Sequence, residues 1–412
     1  MEPTPAQIGA RVRHVRKQRG MTQAVAAGLA GINQGYLARL ERGERHFERR
    51  GLIETLAEVL GCSVTDLTGQ PYQATSRDSA AALAALPPIS RVLADATLDD
   101  VPDTVAPRPL AQLVGLAAEA NAAAADSRYA IAGHDLAQLL LELHAHTARP
   151  RDTAARRVAL AALVEACIVA VGTARTFGNL DLATLVAGRA QDAAAELEDP
   201  ALGGFAAMSA AIVLTRFGAR HRATRVTDTA LAGLSRLDPD ATDTAAAEAA
   251  GMLHLATAQR AAKNRDADTA ATHLAEARAL ATRTGERTTL RYDFGPANVD
   301  AWDLSINVEL GRGAEAADAI TRRPGFGTGL ASADRTAALH FDLARGFAQA
   351  GGVRDDLALK HLDLADVTAP LRIRHDPVAA ELITALDARA QRRQWQLTSL
   401  KSRIQPHPAP AG

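Results

Sequence analysis

Side chains with the chemistry to bind DNA cluster in the first fifty residues of this 412-residue chain. Arginine pairs with guanine edges and phosphates, while glutamine and asparagine pair with adenine edges or phosphate oxygens. We expect three residues to face bases, namely Gln34, Tyr36 and Arg39. The others are expected to bind phosphates or to lie beside those contacts: Arg11, Arg13, Gln23, Asn33, Arg42, Arg45 and Arg49.

Two short helices joined by a tight turn would place these side chains on one surface. Thr22 can cap the first helix through its hydroxyl, and Asn33 can cap the second. Gly31 supplies the left-handed conformation that the turn between them requires. The second helix has a buried edge at helical spacing, formed by Tyr36, Leu37 and Leu40. The stretch from Met21 to Gly43 therefore predicts a helix-turn-helix, which places its second helix in a DNA groove.

At these residues the sequence resembles the Cro and lambda-repressor type of DNA-binding domain, the XRE family, over roughly its first 70 residues. The shared motif is T-Q-x-x-[LA]-A-x-x-A-G followed by L-E-R-G, carried by Thr22, Gln23, Ala26, Ala27, Ala30, Gly31 and Leu40–Gly43. The resemblance implies that Gln23 touches backbone phosphate and that Gln34 leads the base-reading end of the recognition helix. The chain departs from the family at Ala26, where leucine is commoner, and at Gly35, which removes one usual contact side chain.

Length and composition exclude several classes of protein. A chain of 412 residues is too long for one ordinary core, so we expect at least two units. The net charge of −1 argues against a polycation that wraps nucleic acid. We find no secretory leader and no uncharged run that would span a bilayer, so we expect a cytoplasmic protein, at the nucleoid when bound to DNA, with no membrane partner. Because no catalytic triad, metal-ligand spacing or cofactor motif is readable, we expect no enzyme, no metal and no cofactor.

The helical patterns predict an all-α protein in four segments. Residues 1–70 would form a small five-helix domain that contains the helix-turn-helix. Residues 71–109 contain six prolines and predict a partly ordered linker. Residues 110–402 would form an α-solenoid of tetratricopeptide-like repeats that senses a signal or dimerises, and residues 403–412 would form a disordered tail.

A weak internal repeat supports the solenoid. The clearest unit runs from His340 to Pro370, with Gly346, Ala358 and Ala365 where paired helices would cross. This unit resembles the tetratricopeptide pattern, although the repeats are roughly 40 to 47 residues apart instead of 34, a period that HEAT-like helix pairs would also fit. An XRE head with such a body is similar to many regulators of high-GC Gram-positive bacteria, whose F-G-P-x-N-V segment corresponds to Phe294–Val299 here.

One helix of the body carries a candidate ligand site. Asn298, Trp302 and Ser305 are spaced at i, i+4 and i+7, so they share a face that could bind an extended peptide inside the solenoid. Alternatively, Asn298 caps the helix and Trp302 fills a packing gap. Asp342 and Arg345 share a face of a later helix, where they could bind a ligand terminus by charge or form ion pairs on a solvated surface.

These patterns together predict a sequence-specific DNA-binding transcriptional regulator that acts as a homodimer on a double-stranded operator. Its tetratricopeptide-like body would sense a peptide or small-molecule effector. The alternative is a protein-interaction scaffold of tetratricopeptide type, whose helix-turn-helix head is vestigial or only localises the protein.

Overall fold

The computed structural model describes residues 8–236, 244–390 and 394–404. No strand occurs among these residues, so the all-α prediction is confirmed. The first five helices form the head: α1 (Ile8–Gln18), α2 (Gln23–Leu29), α3 (Gln34–Glu41), α4 (Arg50–Leu60) and α5 (Val64–Thr68). Two helices follow, α6 (Arg77–Ala84) and α7 (Leu86–Asp95).

The remaining helices form the body, which begins at Leu110. They are α8 (Leu110–Ala125), α9 (Tyr129–Gly133), α10 (Leu136–Ala148), α11 (Thr153–Thr176), α12 (Leu180–Leu197), α13 (Pro200–Arg216), α14 (Arg220–Leu234), α15 (Thr244–Lys263), α16 (Ala267–Thr284), α17 (Pro296–Leu310), α18 (Gly313–Thr321), α19 (Ala333–Gln349), α20 (Asp355–Thr368), α21 (Pro370–Arg374), α22 (Pro377–Arg389) and α23 (Trp395–Ile404). Of the tail predicted to be disordered, residues 403 and 404 end α23, and residues 405–412 lie outside the described residues.

The head folds around the helix-turn-helix that its caps predict. The Thr22 hydroxyl accepts a hydrogen bond from the Val25 amide at 3.2 Å at the start of α2. Gly31, in the turn before α3, has a φ of +63°, a conformation that a side chain would strain. One apolar centre joins the five helices and includes Ile8, Val12, Ala26, Leu37, Leu40 and Leu56.

The segment 71–109 is packed and carries two helices, which corrects the prediction of a partly ordered linker. Four apolar side chains of α6 and α7 are buried in the larger core of the body: Ala82, Leu86, Ile89 and Leu93. Pro87 and Pro88 do not break the chain because they occupy the first turn of α7, where the N–H that proline lacks has no helical partner. The other domain boundaries stay a prediction.

The body is a row of stacked helix hairpins. Consecutive helices pack in pairs, α11 on α12, α13 on α14, α15 on α16, α17 on α18 and α19 on α20. The first helix of each pair also packs on the first helix of the next, from α11 through to α19. This arrangement is an α-solenoid that follows a five-helix head, as the fold prediction states. The assignment of the hairpins to tetratricopeptide repeats stays a prediction.

One described helix, α11, is long and apolar enough to cross a membrane by length and composition. However, 72% of its apolar stretch is buried inside the protein, which is the environment of a core helix. Its apolar face packs on α8, α10 and α12. The apolarity of α11 is therefore explained by the packing of the body.

The head is docked on the body through α4. Four consecutive residues of this helix, from Gly51 to Glu54, are buried, so α4 is covered on more than its head-facing side. Apolar residues of the head form one continuous cluster with apolar residues of α17, α19, α20 and α22. A Cβ atom on Gly51 would lie 2.7 Å from the Lys263 carbonyl oxygen at the end of α15, so only glycine permits this approach.

Polar contacts accompany the apolar docking. The Glu309 carboxylate of α17 accepts hydrogen bonds from the backbone amides of Arg50 at 3.2 Å and Gly51 at 3.1 Å. These amides belong to the first turn of α4, where donors have no partner within the helix. Glu381 of α22 accepts from the Phe47 amide at 3.0 Å in the same way. The body thus caps the helix by which the head is attached.

Candidate nucleic-acid interface and interior cavity

The outer face of α3 is open to solvent while the head is docked. Gln34 and Arg39 are exposed, and the Arg39 guanidinium makes no hydrogen bond or ion pair with any described residue. Tyr36 is half-buried, and burial raises its pKa, so its phenol stays a neutral donor. Gln34 and Arg39, two of the three side chains that we predict to read bases, are therefore open to solvent.

The predicted phosphate-binding arginines differ in their exposure. Arg13 and Arg45 are exposed, and Arg42 is exposed but paired with Glu44 at 2.5 Å. Arg49 is half-buried. Arg11 is also half-buried, and its guanidinium lies over Gly69. Arg13, Arg42 and Arg45 can therefore reach a phosphate more readily than Arg11 and Arg49 in this arrangement, and all five contacts stay predictions.

A buried charge cluster engages Gln23. Arg16 donates to both carboxylate oxygens of Glu41, at 2.5 and 2.8 Å, and Gln23 Nε2 donates to the same carboxylate at 2.8 Å. Burial alone would raise the pKa of Glu41, but the hydrogen bonds from Arg16 and Gln23 outweigh it and lower that pKa. The Gln23 side-chain amide is thus hydrogen-bonded inside the head. Its predicted phosphate contact would require the hydrogen bond to Glu41 to break.

Asn33 caps the recognition helix, because its side-chain oxygen accepts from the Gly35 amide at 2.7 Å. We expect Asn33→Ala to lower the free energy of unfolding by about 1 kcal/mol, the usual cost of a lost N-cap, as measured by urea denaturation. Asn33→Asp, which keeps a capping oxygen, is the matched control and should retain parental stability. Equal stability of the alanine and aspartate variants would contradict the capping role.

An interior cavity of about 270 Å³ lies where α4 of the head meets the inner helices of the body. The head contributes Arg50 to its lining, and α17 contributes Asn298, Trp302 and Ser305. Asp342 of α19 also lines it. Four of the five predicted ligand-site residues therefore share one cavity, while their role in binding stays a prediction.

Arg345, the fifth residue, does not line this cavity, which corrects the prediction that places it in the site. Its guanidinium binds Glu309 at 2.6 Å and Asp342 at 2.7 Å and donates to the Glu48 carbonyl of the head at 3.1 Å. The alternative of a solvated face with ion pairs is right about the ion pair with Asp342 and wrong about the solvent, because only 3% of Arg345 is exposed. The residue supports head docking instead.

Comparison with known proteins places the head in a family. Residues 7–68 match the family model described as a helix-turn-helix domain. A protein of Sinorhizobium fredii described as the uncharacterized HTH-type transcriptional regulator y4mF is 39% identical over 61 residues, which are 15% of this chain and 79% of that protein. The chain belongs to the HTH-type transcriptional regulators. It is a DNA-binding regulator.

Among solved structures, the regulator matches the crystal structure of ComR from Streptococcus suis over 68% of its own chain and 91% of that chain. The two are 14% identical and their TM-score is 0.26, a value that does not establish a common fold.

The cavity of the regulator is rich in positive charge, with eight cationic side chains and three carboxylates in its lining. Each carboxylate is already paired. Asp334 binds Arg335 at 2.5 Å and also Arg372, and Asp376 binds Arg50 at 2.7 Å. Asp342 binds Arg345, as described above. No carboxylate of the lining is therefore left unpaired to form an ion pair with the remaining cations.

Arg175 and Arg216 are two such cations that the sequence analysis missed. Neither makes a hydrogen bond or an ion pair with any described residue. Burial, and then the nearby charge of Arg175, lowers the pKa of Arg216 to about 9. Burial, and then the charge of Arg372, lowers the pKa of Arg175. Each lies in the last turn of the first helix of a hairpin, about one repeat apart, and that periodic placement is the signal that could have identified them.

Two neutral side chains of the cavity also have unpartnered polar atoms. The Asn298 amide donates to the Tyr292 carbonyl at 3.1 Å, but its Oδ1 has no partner among the described residues. Trp302 Nε1 likewise has none. Buried polar atoms are normally hydrogen-bonded, so the lining of the cavity holds one unsatisfied acceptor and one unsatisfied donor. Asn298 does not cap α17 through its side chain, because the helix starts at Pro296 without a side-chain cap.

Proposed function

We propose that this regulator binds a double-stranded operator sequence-specifically as a homodimer in the cytoplasm, and that an effector in the interior cavity controls it. The observation that carries the proposal is the exposed face of α3, with Gln34 and Arg39 free, on a head that also contributes Arg50 to the cavity. Two such heads could enter successive major grooves of a roughly palindromic site.

Helix α4 supplies the physical link between the cavity and the DNA-binding surface. Its inner end carries Arg50, and its buried side chains support the core on which α3 rests. A molecule that contacts Arg50 in the cavity would bind docked and undocked heads with different affinity, which is the requirement for control. The cavity is slightly below the range of roughly 300–1,000 Å³ that is typical of ligand pockets, which favours a small molecule or the end of a peptide.

We expect Arg39→Ala to weaken operator binding roughly 10- to 100-fold, because a bidentate arginine–guanine contact contributes about 1–3 kcal/mol of discrimination. The measurement is a gel-shift titration on genomic fragments that the parent protein selects. Gln34→Ala should relax the base preference next to that position.

Arg91→Ala is the matched control, since Arg91 is an exposed arginine of α7 without a partner among the described residues. It removes the same charge far from α3 and should bind the fragments as the parent does. Parental binding by Arg39→Ala and Gln34→Ala together would refute the base-reading role and favour the scaffold alternative.

A further inference from the structure

The strongest unassigned feature of the molecule is the pair of unpartnered arginines inside the cavity. Both are half-buried, and a cation that has lost part of its hydration without gaining a counter-ion is usually hydrated or used to bind an anion. Their neighbours compensate them only in part: Asp334 favours the charge of Arg175 but is paired with Arg335 and Arg372, and Asp376 favours the charge of Arg216 but is paired with Arg50. Arg175 and Arg216 are therefore two half-buried cations of the cavity whose guanidinium donors have no partner among the described residues, and the exposed Arg291 is a third.

We propose that the cavity binds an anionic group, a carboxylate or a phosphate, between Arg175 and Arg216, and that this ligand holds the head docked through Arg50. The inference rests on the proposed function, since it names the chemistry of the effector that acts at the same cavity. Guanidinium groups bind both anions in the planar, bidentate manner that suits two arginines on adjacent helices.

The free acceptor of Asn298 and the free donor of Trp302 indicate the chemistry of the rest of the ligand. The free Nε1 of Trp302 can donate to it, and the free Oδ1 of Asn298 can accept from it. The ligand is therefore an anion whose uncharged portion carries both a donor and an acceptor. A peptide terminus and a phosphorylated small molecule both have this character.

Charge explains why such a ligand favours docking. Arg50 reaches the cavity only when the head is docked, and it lies close enough to Arg216 to disfavour the charge of that side chain. The two cations repel each other, although both are also attracted to Asp376, which Arg50 binds at 2.7 Å across the interface between head and body. A bound anion near both side chains adds an attraction to Arg50 that exists only when the head is docked, so it binds the docked state more tightly and shifts the population towards it.

Trp302 offers a direct readout, because the chain has only two tryptophans and Trp395 can be replaced. In full-length Trp395→Phe protein, Trp302 fluorescence is titrated at constant ionic strength with three probes. These are inorganic phosphate, acetyl-trialanine with a free C-terminal carboxylate, and its C-terminal amide. A saturable change with phosphate alone supports a phosphate-bearing ligand, and one with the peptide acid supports a peptide terminus. No response to either anion, or an equal response to the amide, overturns the proposal.

Arg175→Gln and Arg216→Gln test the two cations in the same background. Each should weaken anion binding roughly tenfold or more, as expected for the loss of charge-assisted hydrogen bonds. Each should also leave the thermal midpoint of the ligand-free protein unchanged or higher, because a half-buried charge without an ion-pair partner is removed. A lower midpoint with unchanged anion affinity would show a purely structural role. Arg91→Gln is the matched control, and Arg216→Lys keeps the charge if the glutamine variant does not fold.

Hydrogen exchange tests the docking step separately. The amides of Phe47, Arg50 and Gly51 donate across the interface to Glu381 and Glu309, so they report on docking directly. The anion that binds should slow their exchange, and faster exchange would overturn the stated direction. None of these measurements uses DNA. Failure of anion binding is therefore distinguishable from failure of Arg39→Ala to weaken operator binding.

Discussion

Replacing Gly51 with leucine is expected to detach the head from the body while both parts remain folded. A side chain at this position of α4 has no space, since its Cβ would lie 2.7 Å from the Lys263 carbonyl oxygen and 2.8 Å from the Lys263 Cα. Both obstacles are backbone atoms at the end of α15, which cannot rotate away. The α4 helix must therefore withdraw, and its withdrawal breaks the hydrogen bonds to Glu309.

The exchange rates of the Phe47, Arg50 and Gly51 amides should rise roughly tenfold or more, which corresponds to a loss of at least about 1.4 kcal/mol of docking free energy. Gly28→Leu is the matched control, because Gly28 is a helical glycine of α2 with nothing within 4 Å of an added Cβ. It should leave the three amides protected. Equal protection in Gly51→Leu and Gly28→Leu would contradict docking through α4.

Linkage fixes the relative sign of two effects on DNA binding. If an anion in the cavity stabilises the docked head, the anion and the Gly51→Leu substitution must shift operator affinity in opposite directions. The anion should also have little effect on the operator affinity of Gly51→Leu, since Arg50 no longer reaches the cavity. A parental response of the variant to the anion would separate ligand binding from head docking.

The head could be predicted from sequence because its signals are local. Caps at Thr22 and Asn33, the turn at Gly31 and the apolar edge of α3 lie within about two dozen residues, and each favours the same structure. The spacing of Asn298, Trp302 and Ser305 similarly predicted a shared face, and one helix is sufficient to bring them together. These inferences required no knowledge of which helices pack on each other.

Docking and the cavity charges were not predictable because their contacts are distant in sequence. Glu309 binds the amides of Arg50 and Gly51, some 258 residues earlier in the chain. Arg345 has the same polar pattern in the sequence as a solvated residue, yet it is buried between Glu309 and Asp342. Whether a charged helical face meets water or another domain depends on the tertiary arrangement, and helical periodicity carries no information about that arrangement.

Glu309→Gln is expected to lower the free energy of unfolding by about 3 kcal/mol at neutral pH, the usual cost of removing one partner from a buried ion pair. Glu309 is only 2% exposed, and its carboxylate binds Arg345 at 2.6 Å as well as two amides of α4. Glutamine keeps the size and one acceptor oxygen, so the loss reports charge and not a cavity. Urea denaturation of the full chain is the measurement.

Lowering the pH should reduce the difference in free energy of unfolding between the parent and Glu309→Gln. Burial alone would raise the pKa of Glu309, but Arg345, Lys263 and Arg50 together lower it below the usual value. A carboxylate with a lowered pKa contributes stability above its unfolded pKa of about 4.3 and loses it as pH falls through the folded value. The difference in free energy of unfolding should therefore become smaller below about pH 4.3.

Glu315→Gln is the control, because Glu315 is an exposed glutamate of α18, and it should stay within about 0.5 kcal/mol of the parent. If Glu309→Gln and the parent differ at pH 7 in free energy of unfolding by as little as Glu315→Gln and the parent do, this carboxylate does not stabilise the docked head.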